Sequence, residues 1–284
     1  MAKSVKRECP ACGETKEFRS DVKTCGCQGT NPRLARPSVK AEARIAFLDI
    51  ETMPSVAYVW GKWEQNVLDF VQDGYIFSYA IKIAGKKGVK VRALSDYPEV
   101  WTKNERDETA LLKELIRDLE NVDIIVAHNG DRFDVPTIRT RIVTLGFEPL
   151  RPFQLVDTLK WARSTFKFKS NKLDDLSRDL GIGRKLPHTG FHLWKSCMTK
   201  DLASCHLMKR YNRHDVLLLE ELYYRFLPHV PSPVNVNQKS GIFCPRCGSD
   251  NYKRDGHRFT LYRKKDQIHC LNCTGWFFGP ARKF

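Results

Sequence analysis

Acidic residues recur in three separated segments of the chain, at spacings that could hold metal ions. The first segment is an apolar run that begins at Ile45 and ends in Asp49 and Glu51. Such a run predicts a strand, and alternate residues of a strand project from the same face. Two neighbouring carboxylates repel each other unless a cation lies between them. Because Mg²⁺ and Mn²⁺ prefer oxygen ligands, this pair predicts a divalent-metal site.

The second and third segments supply further polar groups. A short apolar run predicts another buried strand, and Asp134 follows it after a polar turn. The stretch 202–226 has the apolar period of a helix, in which Tyr211 and Asp215 are four residues apart and share one face. A phenol is therefore expected beside a metal-binding carboxylate.

The order of these motifs resembles the DEDD, or DnaQ-like, 3′-to-5′ exonucleases, which have a ribonuclease H-like fold. The residues that carry the resemblance are Asp49, Glu51, Asn129, Phe133, Asp134, Tyr211 and Asp215. The tyrosine is typical of the DEDDy branch, which includes the proofreading domains of family A and B DNA polymerases. The other branch has a histidine where this chain has Arg210. The resemblance extends over residues 42–228.

The resemblance implies a two-metal mechanism with two Mg²⁺ or Mn²⁺ ions. Asp49 would bridge both ions, Glu51 and Asp215 would serve one, and Asp134 would serve the other through water. Tyr211 would orient the attacking water. Thr52, Asn129 and Phe133 are the further substrate contacts implied. Two basic loops either track the substrate strand or are solvated: residues 166–172, which include the candidate substrate contacts Lys169 and Lys172, and residues 183–185, which include Lys185.

The activity implied is a metal-dependent 3′-to-5′ exonuclease, with DNA favoured over RNA because of the similarity to proofreading domains. Two alternatives remain open. One is a structure-specific endonuclease on the same fold, and the other is a non-catalytic nucleic-acid-binding scaffold, against which the complete acidic set argues. Association with a replication or repair protein and a viral origin are further expectations.

Eight of the ten cysteines form two groups near the ends of the chain. Paired knuckles of this kind predict tetrahedral Cys₄ zinc sites, and small modules usually need such a metal to fold. The N-terminal group is Cys9, Cys12, Cys25 and Cys27, and the C-terminal group is Cys244, Cys247, Cys270 and Cys273. Cys197 and Cys205 are predicted to be core thiols. A third site is disfavoured by its irregular spacing; its members would be His188, His192, Cys197 and His206.

The formal net charge of +15 favours a nucleic-acid partner, but the charge is unevenly distributed. Residues 1–40 carry nine Lys or Arg against four acidic residues, and residues 236–284 carry ten against three. The C-terminal segment interleaves its cations with aromatic residues, of which about half are expected to fill its own core and the rest to stack on bases. These aromatic residues are Tyr252, Phe259, Tyr262, Trp276 and Phe277.

Three early strands followed by alternating helices and strands predict an α/β architecture with a mixed sheet covered by helices. This order fits the fold that the resemblance implies, a ribonuclease H-like mixed sheet with helices on both faces. A hairpin is expected around 75–94 and a helix at 107–119. The predicted domains are an N-terminal zinc ribbon in 1–40, the exonuclease domain in 41–230 and a C-terminal zinc ribbon in 236–284. No signal peptide or run of about 18 apolar residues is present, which predicts a cytoplasmic protein without a membrane partner, in the host cytoplasm if viral.

Overall fold

The computed structural model describes residues 43–63, 66–231, 233–236, 241–260 and 263–282, together with the backbone of two N-terminal strands. These strands, β1 (Ser4–Glu8) and β2 (Thr15–Arg19), pair antiparallel. The four N-terminal cysteines of the first predicted zinc site and Tyr262 lie outside the described residues. The N-terminal zinc site therefore stays a prediction.

The central domain contains a five-stranded mixed sheet. Its elements and those of the C-terminal module are, in chain order, β3 (Ile45–Met53), β4 (Val56–Tyr58), β5 (Asp69–Gln72), β6 (Tyr75–Ile83), β7 (Lys90–Ala93), α1 (Pro98–Trp101), α2 (Thr109–Leu119), β8 (Ile124–Ala127), α3 (Asp134–Thr144), β9 (Gln154–Asp157), α4 (Thr158–Thr165), α5 (Leu173–Asp179), α6 (Phe191–Met198), α7 (Leu202–Phe226), β10 (Tyr252–Thr260), β11 (Arg263–Cys270) and β12 (Trp276–Arg282). The strand order is β7-β6-β3-β8-β9, in which β3, β8 and β9 are parallel and β6 and β7 are antiparallel to their neighbours. The predicted ribonuclease H-like sheet is confirmed.

Strand β3 is buried on both faces, and its alternation separates two layers of core. Ala46, Leu48 and Ile50 pack in the cluster that includes α2 and α3. Ile45 and Phe47 point the other way, into the cluster that includes the second half of α7. Because side chains alternate along a strand, the two carboxylates of the first motif continue this second face. The helices thus cover both faces of the sheet, as predicted.

Helix α7 is the longest helix and begins and ends where the sequence pattern predicts. Asp201 caps its first turn by accepting a hydrogen bond from the backbone N–H of Ser204 at 2.9 Å. In the described part of the chain, neither α7 nor another helix is long and apolar enough to cross a membrane.

Glu220 on α7 is a buried charge. Its sequence context predicts an ordinary exposed charge on a helix face, but the residue is only 2% exposed. The helix lies against the sheet at this point, so the carboxylate needs a buried counter-charge. Lys82 on β6 provides it, with its Nζ atom 2.9 Å from Oε1 of Glu220.

The C-terminal module packs against the end of α7 through one buried arginine. Strands β10, β11 and β12 form an antiparallel sheet, and Ile268 and Phe277 lie in its core with the four cysteines. Arg246 donates hydrogen bonds from Nε to the carbonyl of Leu227 at 2.9 Å and from Nη2 to that of Val230 at 2.6 Å. The module is therefore joined to the helix that carries the third motif.

The strands β4 and β5 form a separate hairpin after the first motif. Its connecting segment carries Trp60, which is 87% exposed, and Trp63, which is 75% exposed. These two side chains therefore do not pack in the core.

Candidate active site

Three carboxylates converge between strand β3 and helix α7. Asp49 and Glu51 project from the same face of the strand, and Asp215 faces them from the helix. One carboxylate oxygen from each of the three lies within 4.8 Å of the other two. The structure thus brings the first and third motifs together.

Asp134 lies next to this cluster at the first residue of α3. It is 2% exposed, and its Oδ1 atom accepts a hydrogen bond at 3.1 Å from the backbone N–H of Ile50, between the two carboxylates of β3. The turn before it is tight, because a Cβ atom on Gly130 would lie 2.3 Å from that of Ala127. Asp134 therefore borders the three-carboxylate cluster without joining it at the same close spacing.

Asp157, which the sequence patterns did not single out, holds that turn in place. Its Oδ1 atom accepts a hydrogen bond from the backbone N–H of Asn129 at 3.0 Å. Its Oδ2 atom accepts one from the backbone N–H of Asp131 at 3.2 Å. Asn129 has a φ of 69°, in the left-handed region that asparagine tolerates better than most residues. Asp157 also caps α4. It thereby fixes the turn that leads from β8 to Asp134.

The carboxylates of the site are held in a setting that disfavours joint ionisation. Burial, and then the charges of Glu51, Asp134 and Asp215, raise the pKa of Asp49 well above its ordinary value. Burial and the charge of Asp215 raise the pKa of Glu51 to about 8. Burial raises the pKa of Asp134 to about 7. A cation among these groups would restore their ionised forms.

Lys185 provides one such cation from the loop before α6. Its Nζ atom donates hydrogen bonds to Oδ2 of Asp215 at 2.6 Å and to the hydroxyl of Tyr211 at 2.8 Å. Burial opposes the ammonium charge, but Asp215 and Tyr211 raise the pKa of Lys185 above its ordinary value. The sequence places this lysine in a basic loop that either tracks a strand or is solvated. Instead it lies partly buried at the carboxylate cluster.

Tyr211 and Asn212 support the cluster from α7. The Tyr211 side chain is 6% exposed, and burial raises its pKa to about 12, so it keeps its proton. Asn212 donates a hydrogen bond from Nδ2 to Oδ2 of Asp49 at 2.6 Å and accepts one from Ser78 at 3.3 Å. The sequence identified Tyr211 but missed Asn212, whose only sequence signal is its position one residue after the tyrosine.

An open groove of about 650 Å³ extends from Asp49 along the loop between α4 and α5. Its cationic lining residues include Arg163, Lys169, Lys172 and Lys185. Asn129, Lys169 and Lys172, three of the candidate substrate contacts, therefore line one groove. The other two lie elsewhere. Thr52 is half-buried beside Glu51, and the Phe133 side chain is 40% exposed.

The residues of the carboxylate cluster fit a hard divalent cation. The Oδ1 atom of Asp215 is buried and has no hydrogen-bond partner within the described part of the chain. A buried carboxylate oxygen without a partner can serve as a metal ligand, and a bound cation would offset the cost of leaving it unpaired. Oxygen-only donors suit Mg²⁺ and Mn²⁺.

The four C-terminal cysteines form a second candidate metal group. Their four Sγ atoms lie within 4.8 Å of one another, and all four residues are buried. The Cys244–Cys273 and Cys247–Cys270 pairs have Sγ separations of 3.6 and 3.7 Å. Four convergent thiols fit tetrahedral zinc. The disfavoured third cluster of histidines and Cys197 is not among the metal-holding groups of the described residues.

Comparisons with known proteins agree with this architecture. Residues 46–227 match the model of the RNase H superfamily. The protein named DNA polymerase III PolC-type from Ureaplasma parvum serovar 3 is 36% identical over 103 residues, which are 36% of this chain and 7% of the relative. The protein of the same name from Thermotoga petrophila is 33% identical over 117 residues, which are 40% of this chain and 8% of the relative. The chain therefore spans less than a tenth of the length of these relatives.

Among solved structures, the family B DNA polymerase of Pyrobaculum calidifontis aligns with 92% of this chain and 35% of its own length, at 14% identity and a TM-score of 0.47. The family match covers all three acidic motifs and the sheet that positions them. The resemblance inferred from the motifs is thereby confirmed, and the chain belongs to the RNase H superfamily.

Proposed function

We propose that this nuclease of the RNase H superfamily is a metal-dependent 3′-to-5′ exonuclease that acts on DNA. The observation that carries the proposal is the convergence of Asp49, Glu51 and Asp215, with carboxylate oxygens within 4.8 Å of one another. Buried acidic groups at this spacing need a cation, and divalent cations are what phosphodiester hydrolysis requires.

Asp49, Glu51 and Asp215 would hold the catalytic metal, with Asp134 contributing from the first turn of α3. When bound, a pair of Mg²⁺ or Mn²⁺ ions supplies an activated water and neutralises the charge that develops on the leaving oxygen. The carboxylates need no rearrangement of secondary structure for this role, because β3 and α7 already bring them together.

The chain's own groups around the metal ligands have separate tasks. Tyr211 retains its phenolic proton and can orient a water molecule beside Asp215. Asn212 holds the carboxylate of Asp49 in one orientation through its 2.6 Å hydrogen bond. Lys185 provides a positive charge beside the scissile phosphate position, since it contacts both Tyr211 and Asp215.

The groove beside Asp49 would hold the last nucleotides of the substrate strand. Lys169 and Lys172 would contact phosphates, because cations in such grooves bind the backbone without reading its sequence. Asn129, Phe133 and Thr52 would position the terminal nucleotide, as the DEDDy resemblance implies.

The preference for DNA rests on the two relatives named as DNA polymerases. The 3′-to-5′ direction rests on the DEDDy motif set. Polymerase activity is not transferred, because the matched regions are less than a tenth of those relatives.

Four cysteines would hold a structural Zn²⁺ in the C-terminal module, and the N-terminal four would hold a second. Zinc binding in small modules contributes on the order of 10 kcal/mol to folding, so the C-terminal sheet should depend on its metal. Metal analysis of the purified protein should give two zinc ions per chain.

The test of the activity uses 5′-labelled single-stranded DNA and RNA with Mg²⁺ or Mn²⁺. A ladder of stepwise shortened labelled DNA is expected, and the matched Asp215→Asn protein should give none. A labelled circular single strand distinguishes the endonuclease alternative, because an exonuclease leaves it intact. Binding without cleavage in both formats would overturn the proposal in favour of the scaffold alternative.

A further inference from the structure

The two faces of the C-terminal sheet differ in chemistry. Directly paired residues of antiparallel strands have their side chains on the same face of the sheet. The strand register therefore shows on which face each side chain lies. Asp266, Ile268 and Cys270 of β11 are buried on one face, and Ile268 and Cys270 pack in the cysteine cluster. The side chains that alternate with them point outward. Besides Gln267, the outward side chains include Lys253 and Arg258 from β10, Lys265 and His269 from β11, and Trp276 and Phe278 from β12. These six residues are called the outer face below.

The outer face presents aromatic rings to solvent. Trp276 is 43% exposed and Phe278 is 45% exposed, whereas the neighbouring Phe277 points inward and is 8% exposed. The ring of His269 stacks on Trp276 with a centroid separation of 4.6 Å and an interplanar angle of 15°. Flat rings that are fixed in orientation and open to solvent are suited to stacking on bases.

Cations accompany these rings on the same face. The guanidinium carbon of Arg258 lies 5.2 Å from the centroid of the Phe278 ring. Lys265 pairs with Arg258 across β10 and β11, and Lys253 pairs with His269. Of the two acidic residues of the strands, Asp266 is on the buried face. Asp255 is in the β10 bulge, with a carboxylate oxygen 3.5 Å from Nζ of Lys253, so Arg258 and Lys265 are the cations of the face that have no acidic neighbour in the strand register. The charge of the outer face is therefore complementary to phosphate.

We propose that the outer face binds single-stranded nucleic acid, with bases stacked on Trp276 and Phe278 and phosphates beside Arg258 and Lys265. Single strands are the ligand class because a duplex keeps its bases stacked on one another. This inference rests on the proposed function, since it supplies a second contact to the substrate of the nuclease site. The Arg246 contacts with the end of α7 fix the face relative to that site.

The test measures binding of fluorescein-labelled (dT)₂₀ to the full-length protein by anisotropy, without added divalent metal. Trp276→Ala combined with Phe278→Ala is expected to weaken binding at least tenfold. The matched control is Phe259→Ala, which removes another exposed aromatic side chain (63% exposed) from the opposite face of the same sheet. Arg258→Ala with Lys265→Ala is expected to weaken binding and to flatten its dependence on salt.

Three further measurements separate the possible outcomes. Zinc content should be unchanged in each variant, and Trp276→Phe with Phe278 intact should retain most of the binding if stacking is the contact. A blunt duplex of the same length should bind the wild type more weakly and lose little in the Trp276→Ala, Phe278→Ala protein.

Binding of (dT)₂₀ within twofold of the wild type in the double aromatic variant would overturn the inference and leave a protein partner as the occupant of the face. An equal loss in Phe259→Ala would overturn it too. The proposed function has a separate test, hydrolysis of the p-nitrophenyl ester of thymidine 5′-monophosphate. If the wild-type protein with Mg²⁺ or Mn²⁺ does not hydrolyse this ester, the proposed function is wrong. That small substrate reaches only the carboxylate cluster, and the outer-face variants should hydrolyse it at the wild-type rate.

Discussion

The ammonium group of Lys185 lies 2.6 Å from a carboxylate oxygen of Asp215, although the two residues come from a loop and a helix. Asp215 is almost fully buried, with a side chain 2% exposed, while that of Lys185 is 31% exposed. The lysine thus neutralises one carboxylate of a cluster that burial and mutual repulsion would otherwise keep protonated. Its second hydrogen bond, to Tyr211, links this charge to the phenol.

Replacing Lys185 with methionine should make the protein more dependent on divalent metal. Without added Mg²⁺, the variant should lose about 1–2 kcal/mol of stability, because one partner of a largely buried ion pair is removed while solvent still reaches the site. Mg²⁺ should then raise the urea midpoint of the variant more than that of the wild type. The control is Lys209→Met, which breaks a 2.6 Å pair with Asp96 outside the cluster. An equal Mg²⁺ effect in the variant and the wild type would contradict this role.

Replacing Asn212 with leucine should weaken metal binding at the carboxylate cluster. The change preserves the approximate volume but removes the N–H group that contacts Asp49 at 2.6 Å. Groups that orient metal ligands typically contribute 10–100-fold to metal affinity, so the Mg²⁺ concentration for half-maximal hydrolysis should rise by about that factor. Ser78→Ala is the control, because it removes the other partner of Asn212 and leaves the contact with Asp49. A normal Mg²⁺ dependence in Asn212→Leu would count against the positioning role.

The sequence predicted those parts of the site that local patterns determine. The apolar run of β3 places Asp49 and Glu51 on one face, and the period of α7 places Tyr211 beside Asp215. Both follow from the geometry of a single element. The family resemblance then related the two elements to each other, and the mixed sheet with helices on both faces followed from it.

Contacts between distant segments could not be predicted in the same way. Asn212 and Asp49 are 163 residues apart, and no pattern in either segment indicates their contact. Lys185 resembles any lysine of a basic loop until the fold brings it to Asp215. Glu220 has the spacing of an exposed helix residue, but the sheet covers that face of α7, and Lys82 becomes visible as its partner only there.

Without divalent metal, the stability of the protein should fall as pH rises through the neutral range. The pKa of Glu51 is raised from 4.5 to about 8, chiefly by burial and then by Asp215. The folded state therefore keeps a proton that the unfolded chain releases above about pH 4.5. Raising the pH from about 4.5 to about 8 therefore lowers the free energy of unfolding. The free energy of unfolding measured in urea should be about 2 kcal/mol lower at pH 8 than at pH 5.5. This difference should be smaller in Glu51→Gln.

Glu114→Gln provides the contrast for this pH dependence. Burial opposes the charge of Glu114, but hydrogen bonds from Lys90, Tyr97 and Arg92 lower its pKa to about 2. Its contribution is complete above the unfolded pKa of 4.5 and is lost only as pH falls towards 2. Glu114→Gln should therefore lower the free energy of unfolding by the same amount at pH 5.5 and at pH 8. A pH slope in Glu51→Gln as steep as in the wild type would show that the slope has another origin.

Replacing Arg246 with methionine should release the C-terminal module from the catalytic domain while leaving its cysteines in place. The guanidinium donates to the carbonyls of Leu227, Val230 and Trp276 at 2.6–2.9 Å, and it is 3% exposed. Loss of these charge-assisted hydrogen bonds leaves buried carbonyls unpaired, which should cost about 2–4 kcal/mol.

The Arg246→Met protein should keep its zinc content but become cleavable by proteases in the segment 231–241, and its catalytic domain should unfold at lower urea. Arg254→Met, which changes a half-exposed arginine of the same module, is the control and should change neither property. If Arg246→Met loses zinc before it becomes cleavable, the arginine supports the cysteine cluster itself, and the attachment to α7 has another basis. If both proteins resist proteolysis equally, the two hydrogen bonds to the end of α7 are not what holds the module to the helix.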